Sequence, residues 1–436
     1  YRFARIDSVT EYSTAALEYR DYDSAIPAVS YNDRSYLNTE AQEYTHSYTQ
    51  MSIIPRLLIE YGTVKPGLYF FSGEVLDKMD IIGGASINRL LDLDMYLSFN
   101  YNIFRPTLYA DLAIQTRNIT EDLYIYPGEE KPGDPKTSAD IRFTLMQTNF
   151  GAQNRWYRFP VGDLRWNLFG RYEQYRTFIK YPLTAQDLGL PQGTLSKSSY
   201  IYYIGRHLHL DLDWSLFPSR RSRLSYINPG THLDLNLHYS HEWNEFIDDF
   251  AISSSGVLKE IYSPNYYHKI ETELDAGYQL PFWKKSSLGL NLRAGWISDD
   301  TVDDFFHMFA GSEPGLRGYP YYGIEGTRLS VNTLQWRIPL FTEIDWRLVQ
   351  LQFQDIYLGP YIQVGDAWTG DPLSADWKTV VGSQLRLGGF SFYMYPVAIT
   401  LDAAYGLDTF EAPEDSDIQY GKEWRFYFTL LFEFDQ

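Results

Sequence analysis

Two histidines and two aspartates alternate along one short segment, His207, His209, Asp211 and Asp213. His232, Asp234 and His238 repeat the pattern further on. Imidazole and carboxylate groups in such sets bind zinc or iron. Period-two alternation accounts for the spacing by itself, so the expectation is a polar face wetted by water, with no metal. Arg220, Arg221 and Arg223 follow Phe217-Pro218-Ser219 at a turn. Guanidinium groups pair well with phosphate, so lipid headgroups or lipopolysaccharide could meet them, against the plainer reading of a solvated turn. Asp303 and Asp304 are adjacent loop acids and are read as solvated. The sequence has no Gly-x-Ser-x-Gly elbow, no P-loop and no Gly-x-Gly-x-x-Gly fingerprint. No catalytic residue, cofactor or metal is assigned, and the chain is not expected to be an enzyme.

The elements that carry these residues are extended. Leu208, Leu210, Leu212 and Trp214 alternate with the polar set at 207–213. Leu233, Leu235, Leu237 and Tyr239 do the same against His232, Asp234, Asn236, His238 and Ser240. Leu288, Leu290, Leu292, Ala294 and Trp296 stand opposite Gly289, Asn291 and Arg293. Successive side chains of a strand face opposite sides. Each segment therefore has one apolar and one polar face. A soluble antiparallel sheet alternates too. Here the segments often exceed about 12 residues, against about 5–6 for an ordinary strand. They recur through nearly the whole chain, and aromatic residues gather near their ends, as membrane girdles require.

The totals agree. The chain has 436 residues, 17% of them aromatic, including 38 Tyr, 26 Phe and 11 Trp, and no cysteine. Tyr and Trp favour membrane interfaces, where one end of the ring is dry and the other wet. The net charge of −19 excludes a general nucleic-acid role, which needs a basic face. No apolar run reaches the roughly 18 residues of a spanning helix. Lipid offers the backbone no partners, so strands that span it must close into a barrel. Tyr1 opens without a secretory signal, so the chain is expected to be processed, trimmed or part of a longer protein.

The fold class read from this pattern is all-β: a 16-stranded antiparallel transmembrane β-barrel over residues 51–436. Residues 1–50, polar and acidic, are read as a periplasmic linker or the end of an upstream domain. The strands are placed at 52–62, 66–74, 78–89, 92–104, 107–119, 138–150, 163–180, 198–214, 230–246, 266–281, 285–297, 326–340, 356–368, 377–390, 393–407 and 422–434. Long polar connections fall at 120–137, 181–197, 247–265, 299–325 and 408–421.

One of these connections carries a motif. Residues 309–320 read Phe-Ala-Gly-Ser-Glu-Pro-Gly-Leu-Arg-Gly-Tyr-Pro, and Leu316, Arg317, Gly318 and Tyr319 resemble the signature loop of the BamA/TamA/TpsB superfamily of bacterial surface antigen barrels. The segment Tyr361-Ile362-Gln363-Val364-Gly365-Asp366-Ala367-Trp368 is similar to that family's strand-13 motif. Trp424, Phe426, Phe428, Leu430, Phe432 and Phe434 resemble its carboxy-terminal insertion signal. The resemblance implies that the loop folds into the lumen and that Arg317 docks on the inner wall near Gln335, Gln363 and Gly365. Both wall positions expected to be anionic are neutral amides here. A charge-assisted bond is roughly twice as strong as a neutral one, so the loop is expected to be looser or differently anchored.

The resemblance further implies a bacterial outer-membrane protein of Gram-negative type, with lipid and lipopolysaccharide around it. It implies insertion or translocation of a protein or lipid through the lumen and a seam between first and last strands, with a protein substrate or periplasmic partner. A passive or gated pore, or a structural anchor for a periplasmic domain or partner complex, is the alternative. Residues 52–75, with Pro66-Gly67-Leu68-Tyr69-Phe70-Phe71, resemble barrels fused to a TolB-like β-propeller.

Overall fold

A computed structural model describes residues 48, 51–60, 63–125, 137–157, 162–180, 197–217, 228, 230–252, 258–283, 285–391, 395–412 and 418–432. The segment read as a linker, 1–50, lies outside the described residues apart from Tyr48, and so do Arg220, Arg221 and Arg223. Alternation becomes one large antiparallel sheet. Its long strands are β1 (Ser52–Glu60), β2 (Thr63–Gly73), β3 (Met79–Ile87), β4 (Leu93–Tyr101), β5 (Thr107–Ile125), β6 (Thr137–Trp156), β7 (Asp163–Lys180) and β8 (Lys197–Phe217). They continue as β9 (His232–Ile252), β10 (Leu258–Gln279), β11 (Ser287–Ile297), β12 (Arg328–Phe341), β13 (Leu351–Trp368), β14 (Lys378–Ser391), β15 (Tyr395–Gly406) and β16 (Trp424–Phe432). Each pairs with its sequence neighbours. A three-residue strand, Trp346–Leu348, adds to β13.

The two faces are opposite in character. In register across six strands, Leu290, Leu334, Ile362, Val381, Tyr405 and Trp424 form an unbroken apolar row. Five of the six are among the exposed large hydrophobic residues, Trp424 at 59%. One residue along each of β11, β12 and β13, the other face presents Asn291, Thr333 and Gln363. That face holds buried polar groups in mutual contact. Lys65 Nζ lies 2.6 Å from Asp94 Oδ2, and Arg117 Nη1 lies 2.8 Å from Asp94 Oδ1. The Tyr203 hydroxyl lies 2.8 Å from Glu173 Oε1 and 2.9 Å from Asn244 Oδ1, and its one proton serves one of the two at a time.

The sheet curls. Phe305 and Phe306, from the connection between β11 and β12, pack against Tyr203 of β8 and Phe246 of β9. Phe305 also meets Tyr175 of β7, and Phe306 meets Tyr267 of β10. Leu316 and Tyr319 of the same connection share a buried cluster with Ile297, Val331, Tyr361, Val380 and Ala404. Tyr427 of β16 donates to the Arg317 carbonyl at 2.7 Å. Strands β7 and β16 would stand about 43 Å apart in a flat sheet, nine spacings of about 4.8 Å. One loop reaches both because the sheet bends around it.

Prolines mark where the ladder is one-sided, since the ring removes the donor. Among the described residues Pro66, Pro264, Pro339 and Pro360 each have a partner on one neighbouring strand only. Pro55 sits in β1, opposite Leu68 of β2. Among the described residues β1 pairs with β2 alone and β16 with β15 alone.

The segments read from alternation coincide with strands, and the differences lie mainly at the ends. The stretch 247–265, expected to be a loop, is mostly sheet: β9 runs to Ile252 and β10 starts at Leu258. Within 120–137, β5 continues to Ile125. Pairing needs only backbone groups. A strand that continues beyond the apolar belt has no reason to alternate, so its sequence looks like loop. The connection 299–325 also contains structure, a short pair of Met308–Phe309 with Glu325–Gly326. Phe306 is 8% exposed and central to the contact of loop and wall. Phe306→Ala should cost about 3–5 kcal/mol. The expected result is a lower thermal midpoint and faster proteolysis within 298–327; unchanged cleavage there would show that the curl does not depend on this ring.

Candidate functional site

The loop between β11 and β12 folds onto the inner face. Its tip is held by its own backbone first. Leu316 N–H donates to the Ala310 carbonyl at 2.6 Å, and Ser312 N–H lies 3.0 Å from the carbonyls of both Leu316 and Tyr319. This turn buries Leu316 and Tyr319 completely. The Tyr319 hydroxyl accepts from Asp408 N–H at 3.0 Å and lies 3.2 Å from the Thr379 and Asp408 carbonyls. Burial pushes its phenol up to about 12.

Gln363 of β13 grips the loop backbone with both ends of its amide. Its Oε1 accepts from Arg317 N–H at 3.0 Å, and its Nε2 donates to the Gly315 carbonyl at 3.0 Å and to Thr333 Oγ1 at 3.0 Å. The Arg317 guanidinium lies over the Tyr361 ring, 5.1 Å from its centroid. It has two carboxylates after all: Glu313 Oε1 at 2.8 Å within the loop, and Asp402 Oδ2 at 3.4 Å on β15. Neither carboxylate stands at the wall positions Gln335 and Gln363. The charge is supplied from β15, two strands farther along than Gln363.

Gln335 touches the loop only indirectly. Its Nε2 donates to Gln384 Oε1 at 2.9 Å, and Gln384 Nε2 donates to Asp402 Oδ2 at 2.5 Å. Tyr361 donates to the other Asp402 oxygen at 2.7 Å. Gly365 is constrained by its neighbour strand. A Cβ there would fall 2.6 Å from the Ser330 carbonyl and 3.0 Å from Val331 Cα. Gly318 is the close approach of loop to wall, since a Cβ on it would fall 2.6 Å from Gly406 N.

Sequence reasoning missed Asp402, Gln384, Glu313 and Tyr427. Asp402 was within reach: it alternates with the exposed Leu401, which places it inward. Tyr427 likewise alternates with the outward Phe426 and Phe428, at 75% and 67% exposure. Of the carboxy-terminal residues, Trp424 and Leu430 also face outward. Phe432 ends β16, and Phe434 lies outside the described residues.

The histidines do not form one ligand set among the described residues. His207 Nε2 lies 2.8 Å from Asn244 Oδ1, His238 bonds Asp211 and neighbours His209, and His232 Nε2 lies 3.2 Å from Asp275. Each thus meets a polar neighbour on the inner face.

The chain is similar in structure to CdiB and to BamA. CdiB from Escherichia coli aligns with a TM-score of 0.49 at 14% identity, over 90% of this chain and 63% of that one. CdiB from Acinetobacter baumannii aligns with a TM-score of 0.45 at 11% identity, over 88% and 65%. BamA from Haemophilus ducreyi lacking POTRA domains 1–3 gives 0.47 at 10%, over 89% and 71%. This chain thus spans less than two thirds of either CdiB. No family profile matches the sequence. No curated protein matches it either.

Arg317→Ala removes one guanidinium from the buried Asp402, while Tyr361 and Gln384 still donate to it. The expected cost is about 2–3 kcal/mol, read as a lower temperature for heat-modified gel migration. Unchanged migration would remove Arg317 from the clasp. Gly318→Ala should cost about 1–3 kcal/mol by overpacking against Gly406, while Arg317→Ala in the Asp402→Asn background should cost less than in wild type.

Proposed function

We propose that this chain is a bacterial outer-membrane barrel of the BamA/TpsB kind, which inserts or translocates protein or lipid across that membrane. Strands β1 to β16 would form a closed sixteen-stranded cylinder, with lipid and lipopolysaccharide around it and a protein substrate or periplasmic partner at its mouth. The observation that carries the membrane reading is the apolar row from Leu290 to Trp424, turned outward over six strands, with buried polar groups behind it. A soluble monomer rarely exposes a contiguous apolar patch beyond a few hundred Å². Acyl chains are the solvent that suits such a face, and a sheet in lipid must close on itself.

The insertase reading rests on the loop carrying Leu316-Arg317-Gly318-Tyr319 and on the seam. The strands that would meet there, β1 and β16, each have one paired neighbour among the described residues, and β1 carries Pro55. An edge with free backbone groups templates pairing with another chain. No covalent chemistry is required for that. A polar cavity of about 300 Å³ beside the loop, lined by Arg317, Arg337, Arg386, Glu273, Asp275 and Gln335, favours a gated pore as the second reading.

Cysteine pairs scanned between Ser52–Glu60 and Trp424–Phe432 test the seam. Locking by oxidation is expected to stop cargo assembly, and reduction to restore it. Intact assembly in the locked protein, together with steady ion conductance in planar bilayers, would favour the pore. The membrane reading has its own test. Leu401→Arg should cost about 2–4 kcal/mol in liposomes if the site lies near the bilayer midplane. No cost there would put Leu401 outside the acyl region.

A further inference from the structure

The stem of the inward loop holds a second group of polar side chains, separate from the clasp on Arg317. Asp304, His307 and Glu325 present ligand atoms that all lie within 4.8 Å of one another. His307 closes the short 3-10 turn Asp304–Phe306. Glu325 returns on the two-residue strand paired with Met308–Phe309. The group therefore joins the outgoing and returning limbs of the loop.

His307 gives the group its chemical point. Its side chain is 10% exposed, and its buried Nδ1 has no hydrogen-bond partner. The Asp304 Oδ1 atom is 3.6 Å away, too far for a hydrogen bond. Phe306 and Met308, on either side in sequence, are both buried, so the imidazole is held in place. The Asp304 side chain is 82% exposed and can swing toward it. An anchored imidazole thus lies among one exposed and one half-buried carboxylate.

We propose that Asp304, His307 and Glu325 form a divalent-cation site, with zinc the preferred ion, that clips the two limbs of the loop stem together. One imidazole nitrogen with two carboxylate oxygens suits zinc. Calcium and magnesium favour all-oxygen sets. Tetrahedral zinc with ligands at about 2.0–2.2 Å sets ligand atoms about 3.3–3.6 Å apart. The Asp304 Oδ1–His307 Nδ1 distance of 3.6 Å already meets that spacing, so closing the spread of up to 4.8 Å requires a shift of about 1 Å between these two and Glu325. Glu325 gives one oxygen from the returning limb, which Glu325–Gly326 ties to Met308–Phe309. A fourth position stays open to water. The clip shortens the span over which the segment bearing Arg317 can move.

Chelator-stripped, detergent-solubilised full chain titrated with zinc chloride tests this, by calorimetry and by limited proteolysis between residues 304 and 325. The expected result is one saturable zinc equivalent that calcium does not displace. Binding should be lost in His307→Ala and weakened about tenfold or more in Asp304→Asn and Glu325→Gln. Asp304→Asn is a surface change that leaves the fold intact, so its affinity is informative by itself. Zinc should slow cleavage of the loop in wild type and not in Asp304→Asn. The site is overturned if zinc binds without saturation, if all variants bind as wild type does, or if only His307→Ala loses affinity.

Discussion

Turning apolar side chains outward leaves the inside of the sheet to polar groups and to the apolar cluster that the β11–β12 loop brings against the wall. Polar groups there are cut off from bulk water and must satisfy one another, since an unpaired buried donor or acceptor is costly. The inner face meets that demand by linking strands through side chains. Lys65, Asp94 and Arg117 join β2, β4 and β5. Glu173, Tyr203 and Asn244 join β7, β8 and β9. The β11–β12 loop completes the interior: aromatic rings engage β7 to β10, and hydrogen bonds engage β13 to β16. Loop and wall thereby determine each other's shape.

The loop is held by a division of labour. Gln363 fixes the backbone at Gly315 and Arg317, while Asp402 and Glu313 address the guanidinium. A single carboxylate could accept from the Arg317 N–H and from the guanidinium, but it has no donor for the Gly315 carbonyl. Separating the tasks puts the charge on β15, where Gln384 and Tyr361 already orient Asp402. It also explains why Gly318 must be small: the backbone of the motif lies against the backbone of Gly406.

Much of this was legible in the residues. Leu208 to Trp214 against His207 to Asp213 gives β8 directly, because outward and inward residues cannot exchange places without losing the apolar face. Alternation fails where that selection ends. Residues 247–252 and 258–265 are paired strand, but their outer faces carry no uniform apolar pattern, so only the ladder reveals them. At the loop, the motif residues stood out by type, whereas Asp402 did not. Its role depends on which strand the curl brings over the loop, and curvature is a property of the whole sheet. Asp304 was read as an ordinary solvated acid for the same reason: its proximity to His307 and Glu325 arises only when the limbs of the loop meet.

Gln363 has one further property. A primary amide neither gains nor loses a proton over the range in which proteins live, so its hold on Gly315 and Arg317 is the same in mild acid as at neutrality. An ionised carboxylate in its place would have no donor for the Gly315 carbonyl, and its hold on the Arg317 N–H would weaken as it was protonated. The main-chain half of this grip is therefore indifferent to acidity, leaving only the guanidinium's ionic contacts to respond when the surroundings change.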